Sequence, residues 1–191
     1  AAKVVRAAGA PDGQELWAMM ETPASILNAR EIAALGDDPA INFTCLIMGT
    51  NDLLKESRAL ALGERFAVVP WLAMTIVAAR AHGLDAIDGV YNNFKDDAGL
   101  RDECLQGRTL GMDGKTLIHP SQVGPCNEIF SPSSEEVDWA RQIIAAFAKP
   151  DNASKGVITI DGRMVERLHA VMAARTVAIA DAIAAREAEA A

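Results

Sequence analysis

The sequence predicts an α/β fold built on a parallel sheet. Three observations support this prediction: short apolar runs alternate four times with longer helical patterns between residues 16 and 123, turn-forming residues bound the runs, and the first two runs are followed by the acids Glu21 and Asp52. Alternation of strand and helix is typical of parallel sheets and barrels. With 191 residues, 50% of them hydrophobic and 23% charged, the chain is long enough for one well-filled core and a small appendage.

The first strand is predicted over Leu16–Met20, a continuous apolar run that indicates a strand covered on both faces. Thr22 and Pro23 have the residue types preferred at the N-cap and at the first position of a helix. The predicted helix continues to Leu35 with its apolar residues on one face. Glu21 therefore lies at the carboxyl end of a strand, where α/β folds place their functional residues.

The same pattern repeats three times along the chain. Residues 45–48 form a second apolar strand, after which Gly49 and a polar cluster lead to Asp52. Residues 66–83 predict a long buried helix that ends at Gly83, and residues 84–94 predict a third strand. Residues 102–114 predict a helix with its exit turn, and a fourth strand follows that ends at His119-Pro120.

The composition changes near Pro125, so we divide the chain into residues 1–124 and a C-terminal helical segment, 125–191. Ser133 and Glu136 have capping-box spacing at the start of a helix. A short extended piece follows, with an Asp-Gly turn at Asp161-Gly162, and then an alanine-rich terminal helix. Without other information, the simplest interpretation of Asp161 is a residue of that turn.

Charge and cysteine content narrow the classes of function. The formal net charge of −8 argues against nucleic acid as a partner. The cysteines at 45, 104 and 126 form no CxxC pair, which favours a reducing cytoplasm over a disulfide framework or a zinc site. The longest apolar run, residues 66–79, is interrupted by Pro70 and is shorter than the ~20 residues of a membrane helix. The first residues lack the pattern of a signal peptide, so we expect no membrane partner.

Glu21 and Asp52 are the candidate metal ligands. Both follow predicted strands, and their separation (52 − 21 = 31 residues) fits one complete βα unit with a long loop. Neighbouring parallel strands place both acids at one rim, and one or two carboxylates are the usual protein ligands of Mg²⁺. A strand-terminal acid also caps helices or pairs with arginine, and the two residues alone leave these alternatives open.

Several separated motifs together resemble one known family. In chain order they are METPASILNAREIAAL, GTNDL, GLDAIDGVYNNFKDDAGL, GMDGKTLIHPSQV with NEIFSPSSEEVDWARQII, and ITIDGRMVE. They are similar to the citrate lyase β-subunit-like family of the HpcH/HpaI aldolase superfamily, which includes malyl-CoA, citramalyl-CoA and citryl-CoA lyases. The resemblance covers the chain from about residue 17 to residue 178.

The resemblance implies a TIM (β/α)8 barrel, of which this chain holds the last four units, with a C-terminal appendage that reaches a neighbouring subunit. It implies that Glu21 and Asp52 bind Mg²⁺ and that Gly49, Thr50 and Asn51 bind the substrate carboxylate. The family's first four strands, with an arginine expected to bind the keto acid, have no counterpart in this sequence. We therefore expect the chain to be the C-terminal part of a longer protein.

The resemblance also implies roles for residues outside the metal rim. Asp161 matches an acid that enters the adjacent protomer's active site in the family, where it moves a proton. His119 and Pro120 fall beside the coenzyme A channel, where His119 is expected to order the turn after the fourth strand. The implied assembly is a homotrimer or homohexamer.

The implied reaction is Mg²⁺-dependent cleavage of a 3-hydroxyacyl-CoA into an acyl-CoA and an α-keto acid, which are the expected small-molecule partners. One alternative is a thioesterase or malate-synthase-like activity at the same site. The other is a non-catalytic oligomer subunit, which three acids at separate loop ends disfavour.

Overall fold

The computed structural model describes residues 2–11, 13–60 and 65–190. The chain divides into two compact units, Ala1–Phe130 and Ser131–Ala191, whereas the sequence placed the boundary after residue 124. Residues 125–130 stay with the first unit because they belong to a helix, Val123–Phe130. Cys126 of this helix is buried in a cluster of residues of the first unit, so the helix is part of that unit's core.

The first unit is built on a four-stranded parallel sheet. The strands, hydrogen-bonded in chain order, are β1 (Leu16–Met20), β2 (Phe43–Met48), β3 (Asp85–Asp88) and β4 (Gly114–Lys115). The register pairs Met20 with Met48, Ile47 with Ile87, and Asp88 with Lys115. The carboxyl ends of the strands therefore lie along one edge, and the predicted parallel α/β architecture is confirmed.

Helices connect these strands. They are α1 (Ala2–Ala7) before β1, α2 (Pro23–Leu27) and α3 (Ala29–Ala33) after it, α4 (Thr50–Ser57) and α5 (Val69–Ala81) after β2, α6 (Asp97–Leu110) after β3, and α7 (Val123–Phe130) after β4. Short 3₁₀ turns occupy Ala34–Asp37 and Pro120–Gln122. The long buried helix expected over residues 66–83 is α5, which begins just before Pro70 because proline suits the first turn of a helix.

Thr22 caps the first connecting helix as predicted. Its Oγ1 accepts a hydrogen bond from the Ser25 N–H at 3.0 Å, and Ser25 Oγ accepts one from the Thr22 N–H at 3.1 Å. The expectation of one continuous helix is wrong, because the helix is interrupted at Asn28. Asn28 Nδ2 donates to the Ala24 carbonyl at 2.7 Å, and such local side-chain bonds compete with the backbone bonds of a helix.

Helices cover one face of the sheet. The core contains strand residues Met20, Leu46, Met48 and Ala86 and helix residues Ile26, Ala33, Leu72 and Ala79. Successive strand residues point to opposite faces, and on the other face Trp17 and Met19 are 57% and 51% exposed. The expectation that the first strand is covered on both faces is therefore wrong for the part of the chain that the structure describes.

The third and fourth strands are shorter than predicted. β3 ends at Asp88, and β4 contains only two residues, so the strand does not reach His119. The ladder continues for one residue beyond β4, because the Thr116 N–H donates to the Asp88 carbonyl at 3.0 Å. Further on, the Ile118 N–H donates to the Gln122 side-chain oxygen at 3.0 Å instead of to a neighbouring strand.

The second unit packs two helices and a hairpin around a small core. Its elements are α8 (Ser134–Ala148), a 3₁₀ turn (Pro150–Asn152), β5 (Val157–Ile160), β6 (Arg163–Glu166) and α9 (Arg167–Ala190). The predicted capping box of Ser133 and Glu136 is present. The buried residues of this core are Ala140, Ile143, Phe147, Ile158, Val165 and Ala173.

The terminal helix α9 is more apolar than the sequence analysis recognised. Its 23-residue segment Arg167–Glu189 contains an 18-residue window with a mean hydropathy of 1.4, and it meets the length and composition of a membrane-spanning helix. Core helices of soluble proteins and signal sequences meet the same criteria, so this is weak evidence of a membrane span. In the described part of the chain, one side of α9 packs on α8 through Ala170, Ala173 and Val177.

Asp88, at the end of β3, is the centre of a buried ion-pair cluster. The guanidinium of Arg65 donates to both carboxylate oxygens at 2.7 Å, and Lys115 Nζ and the Gly89 N–H donate at 3.2 and 2.7 Å. Lys115 Nζ also bonds to the Glu103 carboxylate, which lies 3.4 Å from the Arg65 guanidinium. Two positive and two negative charges thus neutralise one another away from solvent.

Arg65 remains charged within this cluster. Burial acts to lower the pKa of its guanidinium, and the hydrogen bond and charge of Asp88 outweigh burial and raise the pKa. Because Asp88 is fully buried, removing its charge leaves Arg65 and Lys115 facing a single carboxylate. An uncompensated buried charge is strongly destabilising.

We predict that Asp88→Asn lowers the free energy of unfolding by about 3–5 kcal/mol, because two buried cations lose their shared partner. Urea denaturation followed by circular dichroism measures this change. The matched control is Asp97→Asn, which removes an exposed ion pair with Arg101 and is expected to change the same free energy by less than about 1 kcal/mol. An Asp88→Asn effect as small as the control would contradict this role for the cluster.

Candidate active site

Glu21 follows β1 directly and lies against the end of β2. The Gly49 N–H donates to the Met20 carbonyl at 3.0 Å, so Glu21 and Gly49 leave the sheet side by side. A Cβ atom at position 49 would lie 2.3 Å from the Glu21 Cβ. Gly49 has an ordinary φ of −94°, and glycine is therefore required here for close approach rather than for an unusual backbone conformation.

Asp52 lies in the first turn of α4, one strand away from Glu21. Its carboxylate accepts a hydrogen bond from Lys55 Nζ at 2.8 Å, and the two side chains are 49% and 70% exposed. The bond and charge of Asp52 raise the pKa of Lys55, and Glu21 adds to this effect. Both predicted ligands share one edge of the sheet, because β1 and β2 are adjacent parallel strands.

The start of α4 presents free backbone donors on this edge. Gly49 is the N-cap residue and supplies no side-chain capping bond. The first amides of a helix have no acceptor within the helix, and the helix dipole makes this end attractive to anions. Thr50 and Asn51 are the first two helical residues, so these two members of the predicted substrate-binding segment Gly49–Asn51 offer N–H groups where a carboxylate would bind. The Gly49 N–H is already bonded to the Met20 carbonyl.

Contacts with the loop after β3 hold this segment in place. Thr50 is buried and packs on Gly89, where a Cβ would lie 2.5 Å from Thr50 Oγ1 and 3.0 Å from the Met48 carbonyl. The side-chain amides of Asn51 and Asn92 hydrogen-bond to each other in both directions, at 3.1 and 2.7 Å. Sequence reasoning missed Gly89 and Asn92; a glycine directly after a strand and an Asn-Asn pair in a loop were the available signals.

The donor set on this edge fits Mg²⁺. Within the described residues, no three His, Cys, Asp or Glu side chains form a ready metal cage. Glu21 and Asp52 supply two carboxylates, and Mg²⁺ is commonly held by one or two carboxylates while water and substrate oxygens fill its other positions. The bond of Asp52 to Lys55 is an exposed ion pair, which contributes little to stability. It uses one carboxylate oxygen of Asp52 and leaves the other available to a metal ion.

His119 orders the turn after β4. Its Nδ1 accepts a hydrogen bond from the Ser121 N–H at 3.2 Å and caps the 3₁₀ turn that begins at Pro120. The imidazole stacks on Phe94 with ring centroids 4.7 Å apart. Since Nδ1 is the acceptor, a neutral His119 carries its proton on Nε2. The exposed pair of rings at the carboxyl end of β4 offers a flat aromatic surface.

Asp161 occupies the tip of the β5–β6 hairpin in the second unit. Ile160 pairs with Arg163, and the two connecting residues, Asp161 and Gly162, have φ values of 49° and 77°. This is a two-residue turn of the type that favours Asp-Gly. Asp161 is exposed, and the structure agrees with the turn predicted from sequence.

Residues 6–120 match the family described as HpcH/HpaI aldolase/citrate lyase. A (3S)-malyl-CoA thioesterase of Cereibacter sphaeroides (strain ATCC 17025 / ATH 2.4.3) is 52% identical over 170 residues, which cover 89% of this chain and 58% of that protein. Mitochondrial citramalyl-CoA lyase of Homo sapiens is 33% identical over 86% of this chain and 49% of that protein. The chain thus spans 58% and 49% of these two relatives.

A solved structure is also similar to this chain. CitE from Mycobacterium tuberculosis, in complex with magnesium, acetoacetate and coenzyme A, superposes with a TM-score of 0.68 and 27% sequence identity. The match covers 86% of this chain and 61% of that chain.

We predict that Gly49→Ala lowers the free energy of unfolding by about 1–3 kcal/mol, because the new methyl group overlaps the Glu21 Cβ and forces the strand ends apart. Thermal and urea denaturation measure the effect. Gly124→Ala is the matched control, since a Cβ at position 124 meets no atom within 4 Å and alanine favours the helix. Equal stability of the two variants would show that the strand ends have room to separate.

Proposed function

The chain belongs to the HpcH/HpaI aldolase/citrate lyase family, and we propose that it forms part of a magnesium-dependent enzyme acting on 3-hydroxyacyl-CoA thioesters of the malyl-CoA type. The observation that carries this proposal is the shared edge of β1 and β2, where Glu21 and Asp52 lie beside the free amides of α4. The names of the relatives and the ligands of the CitE structure support the choice of metal and substrate class.

We propose that the four strands are the last four of a TIM (β/α)8 barrel in the longer protein. Two features support this proposal. Trp17 and Met19 are exposed on the uncovered face of the sheet, and the chain spans 58% of the thioesterase relative. Four further strands would close the barrel and cover this face, and they would also carry the arginine expected to bind the keto acid.

The residues on the edge have separate roles in this proposal. Glu21 and Asp52 hold Mg²⁺, and the N–H groups of Thr50 and Asn51 bind the substrate carboxylate. The bound ion supplies Lewis-acid stabilisation of negative charge that develops on the substrate oxygens. Gly49 leaves space for the carboxylate to reach the amides, and the bonds between Asn51 and Asn92 keep the start of α4 in position.

Two reactions are compatible with such a site. In the lyase reaction, the substrate hydroxyl loses its proton, the C2–C3 bond breaks, and the electron pair forms a thioester enolate that takes up a proton; an acyl-CoA and an α-keto acid result. In the thioesterase reaction, water adds to the thioester carbonyl, the C–S bond breaks, and coenzyme A leaves as the thiol. The resemblance favoured the lyase, and the 52% identical relative favours hydrolysis; we place hydrolysis first and cleavage of the C–C bond second.

We propose that Asp161 moves the proton in either reaction, either to the enolate carbon or from the attacking water. It acts at the site of a neighbouring protomer in a homotrimer or homohexamer. The exposed position of Asp161 at a hairpin tip supports this role, since it leaves the carboxylate accessible. The flat surface of Phe94 and His119, next to Pro120, is proposed to line the coenzyme A channel. Three free cysteines support a cytoplasmic location.

The first test measures products and metal binding in the full-length protein. Malyl-CoA is supplied with and without Mg²⁺, and free thiol and α-keto acid are assayed separately. We predict that Glu21→Gln and Asp52→Asn each weaken Mg²⁺ binding in calorimetry at least about tenfold and reduce turnover at least about 100-fold. The charge-matched control is Glu56→Gln, an exposed residue of the same helix, which is expected to stay within about twofold of wild type.

The outcomes distinguish the candidate functions. Free thiol without keto acid identifies a thioesterase, and keto acid without free thiol identifies a lyase. Mg²⁺ binding without either product identifies a non-catalytic subunit and overturns the enzyme proposal. Wild-type Mg²⁺ affinity in either ligand variant rejects the assignment of Glu21 and Asp52.

The second test concerns Asp161. Asparagine tolerates the positive φ of this turn, so Asp161→Asn is expected to keep the fold and KM within about threefold of wild type and to lower kcat at least about 100-fold. Asp138→Asn, an exposed acid of the same unit, is the control. Inactive Asp161→Asn and Glu21→Gln protomers, co-assembled, regain activity if Asp161 acts in trans. Confirmed subunit exchange without recovery rejects action in trans.

A further inference from the structure

Gln122 is a buried residue to which the proposed function gives no role. It is 1% exposed, although glutamine mostly lies at protein surfaces. Its side-chain oxygen accepts a hydrogen bond from the Ile118 N–H at 3.0 Å, and its Nε2 donates to the Tyr91 carbonyl at 2.9 Å. One amide therefore joins the turn after β4 to the loop after β3, and both of its ends have a partner.

The Gln122 amide occupies the place where the ladder between β3 and β4 stops. The Thr116 N–H still donates to the Asp88 carbonyl at 3.0 Å. Alternate residues of a strand face the same neighbouring strand, so in a continuing strand the next N–H directed at β3 would be that of Ile118. This N–H bonds to Gln122, and Gln122 in turn bonds to Tyr91. A side chain thus sets the spacing of the two segments in place of a direct backbone bond.

The two segments that Gln122 joins carry the stacked aromatic rings. On one side, Phe94 lies three residues after Tyr91, in a loop where the Tyr91 hydroxyl donates to the Asp96 carboxylate at 2.8 Å. On the other side, His119 is the N-cap of the 3₁₀ turn that contains Gln122, and the Gln122 N–H donates to the His119 carbonyl at 3.0 Å. The rings of Phe94 and His119, with centroids 4.7 Å apart, therefore lie on segments whose spacing the Gln122 amide sets.

We propose that Gln122 is a positioning residue that holds the Phe94 and His119 rings in stacking contact for the binding of coenzyme A. This role rests on the proposed function, which places the two rings in the coenzyme A channel. A buried amide is unfavourable unless it is hydrogen-bonded, and an apolar side chain would fill the same space without that requirement. An amide with both ends bonded specifies one geometry, whereas apolar packing alone tolerates several.

Gln122→Met tests this role, because methionine is close to glutamine in size and makes neither hydrogen bond. In the full-length protein, we expect this variant to melt cooperatively and to bind Mg²⁺ within about twofold of wild type, since the proposed metal ligands follow other strands. Coenzyme A binding in calorimetry is expected to weaken about three- to tenfold, the range of one aromatic contact. The matched control is Gln142→Met, at an exposed position of α8, which is expected to change neither affinity beyond about twofold.

A double variant distinguishes positioning from a general effect on the fold. Phe94→Leu removes the stack and leaves the Gln122 amide in place. If Gln122 acts through the stack, a protein with both Gln122→Met and Phe94→Leu binds coenzyme A as weakly as Phe94→Leu alone. A double variant weakened by the product of the two single effects would overturn the proposal, as would wild-type coenzyme A affinity in Gln122→Met.

A second measurement reports the ring contact without coenzyme A. The ring current of Phe94 shifts the NMR signals of the imidazole stacked on it, so ¹³C-labelled histidine reports the contact, and His119→Gln assigns the signal. Gln122→Met is expected to move the His119 signal toward its position in Phe94→Leu, and Gln142→Met is expected to leave it unchanged. An unmoved His119 signal in Gln122→Met would overturn the positioning role.

Gln122→Glu replaces Gln122→Met if the methionine variant does not fold. Its carboxylate accepts from the Ile118 N–H, but the ionised form has no donor for the Tyr91 carbonyl, so the same changes in the His119 signal and in coenzyme A affinity are expected. The NMR measurement also separates this proposal from the proposed function. Wild-type protein that binds no coenzyme A rejects the proposed substrate class, whereas the His119 signal alone decides whether Gln122 positions the two rings.

Discussion

The carboxylate of Asp88 is the interaction on which the arrangement of the strand ends depends. It binds Arg65 from the segment before α5, Lys115 from β4 and its own neighbour Gly89. A carboxylate without water at this depth is stable only with such partners, because desolvation costs several kcal/mol. The carboxylate also lies close to α6. A Cβ at Gly107 of this helix would lie 2.8 Å from the Asp88 carboxylate, so glycine at this position lets α6 pack against it.

The edge of the sheet is built from backbone more than from side chains. Gly49 lets the end of β2 approach Glu21, and Gly89 lets the end of β3 approach Thr50. The donors that this edge presents are the first amides of α4, which belong to the main chain. In the proposed function, the carboxylates of Glu21 and Asp52 are the groups on this edge whose chemistry depends on side-chain identity. Their substitution would therefore alter function more than shape, whereas substitution of the glycines would alter shape first.

Local sequence signals predicted the elements whose causes are local. Thr22 and Ser133 begin helices because their side chains bond three residues ahead, and Asp161-Gly162 makes a tight turn because both residues tolerate a positive φ. The hydrophobic patterns also predicted that Glu21 and Asp52 follow the ends of strands. Their proposed roles as metal ligands came from the family resemblance.

Contacts between distant segments were not predictable from the same signals. Arg65 and Asp88 are 23 positions apart, and Asn51 and Asn92 are 41 apart. Hydrophobic periodicity shows which residues face the core, but it does not identify the cation that an internal acid meets. Both proposed metal ligands, by contrast, lie on one strand–helix–strand unit between Leu16 and Ser57. The geometry between them is set by the register of two adjacent parallel strands, in which Met20 pairs with Met48. A slip of that register by one residue would turn the side chains of β1 to the other face of the sheet and separate the two carboxylates.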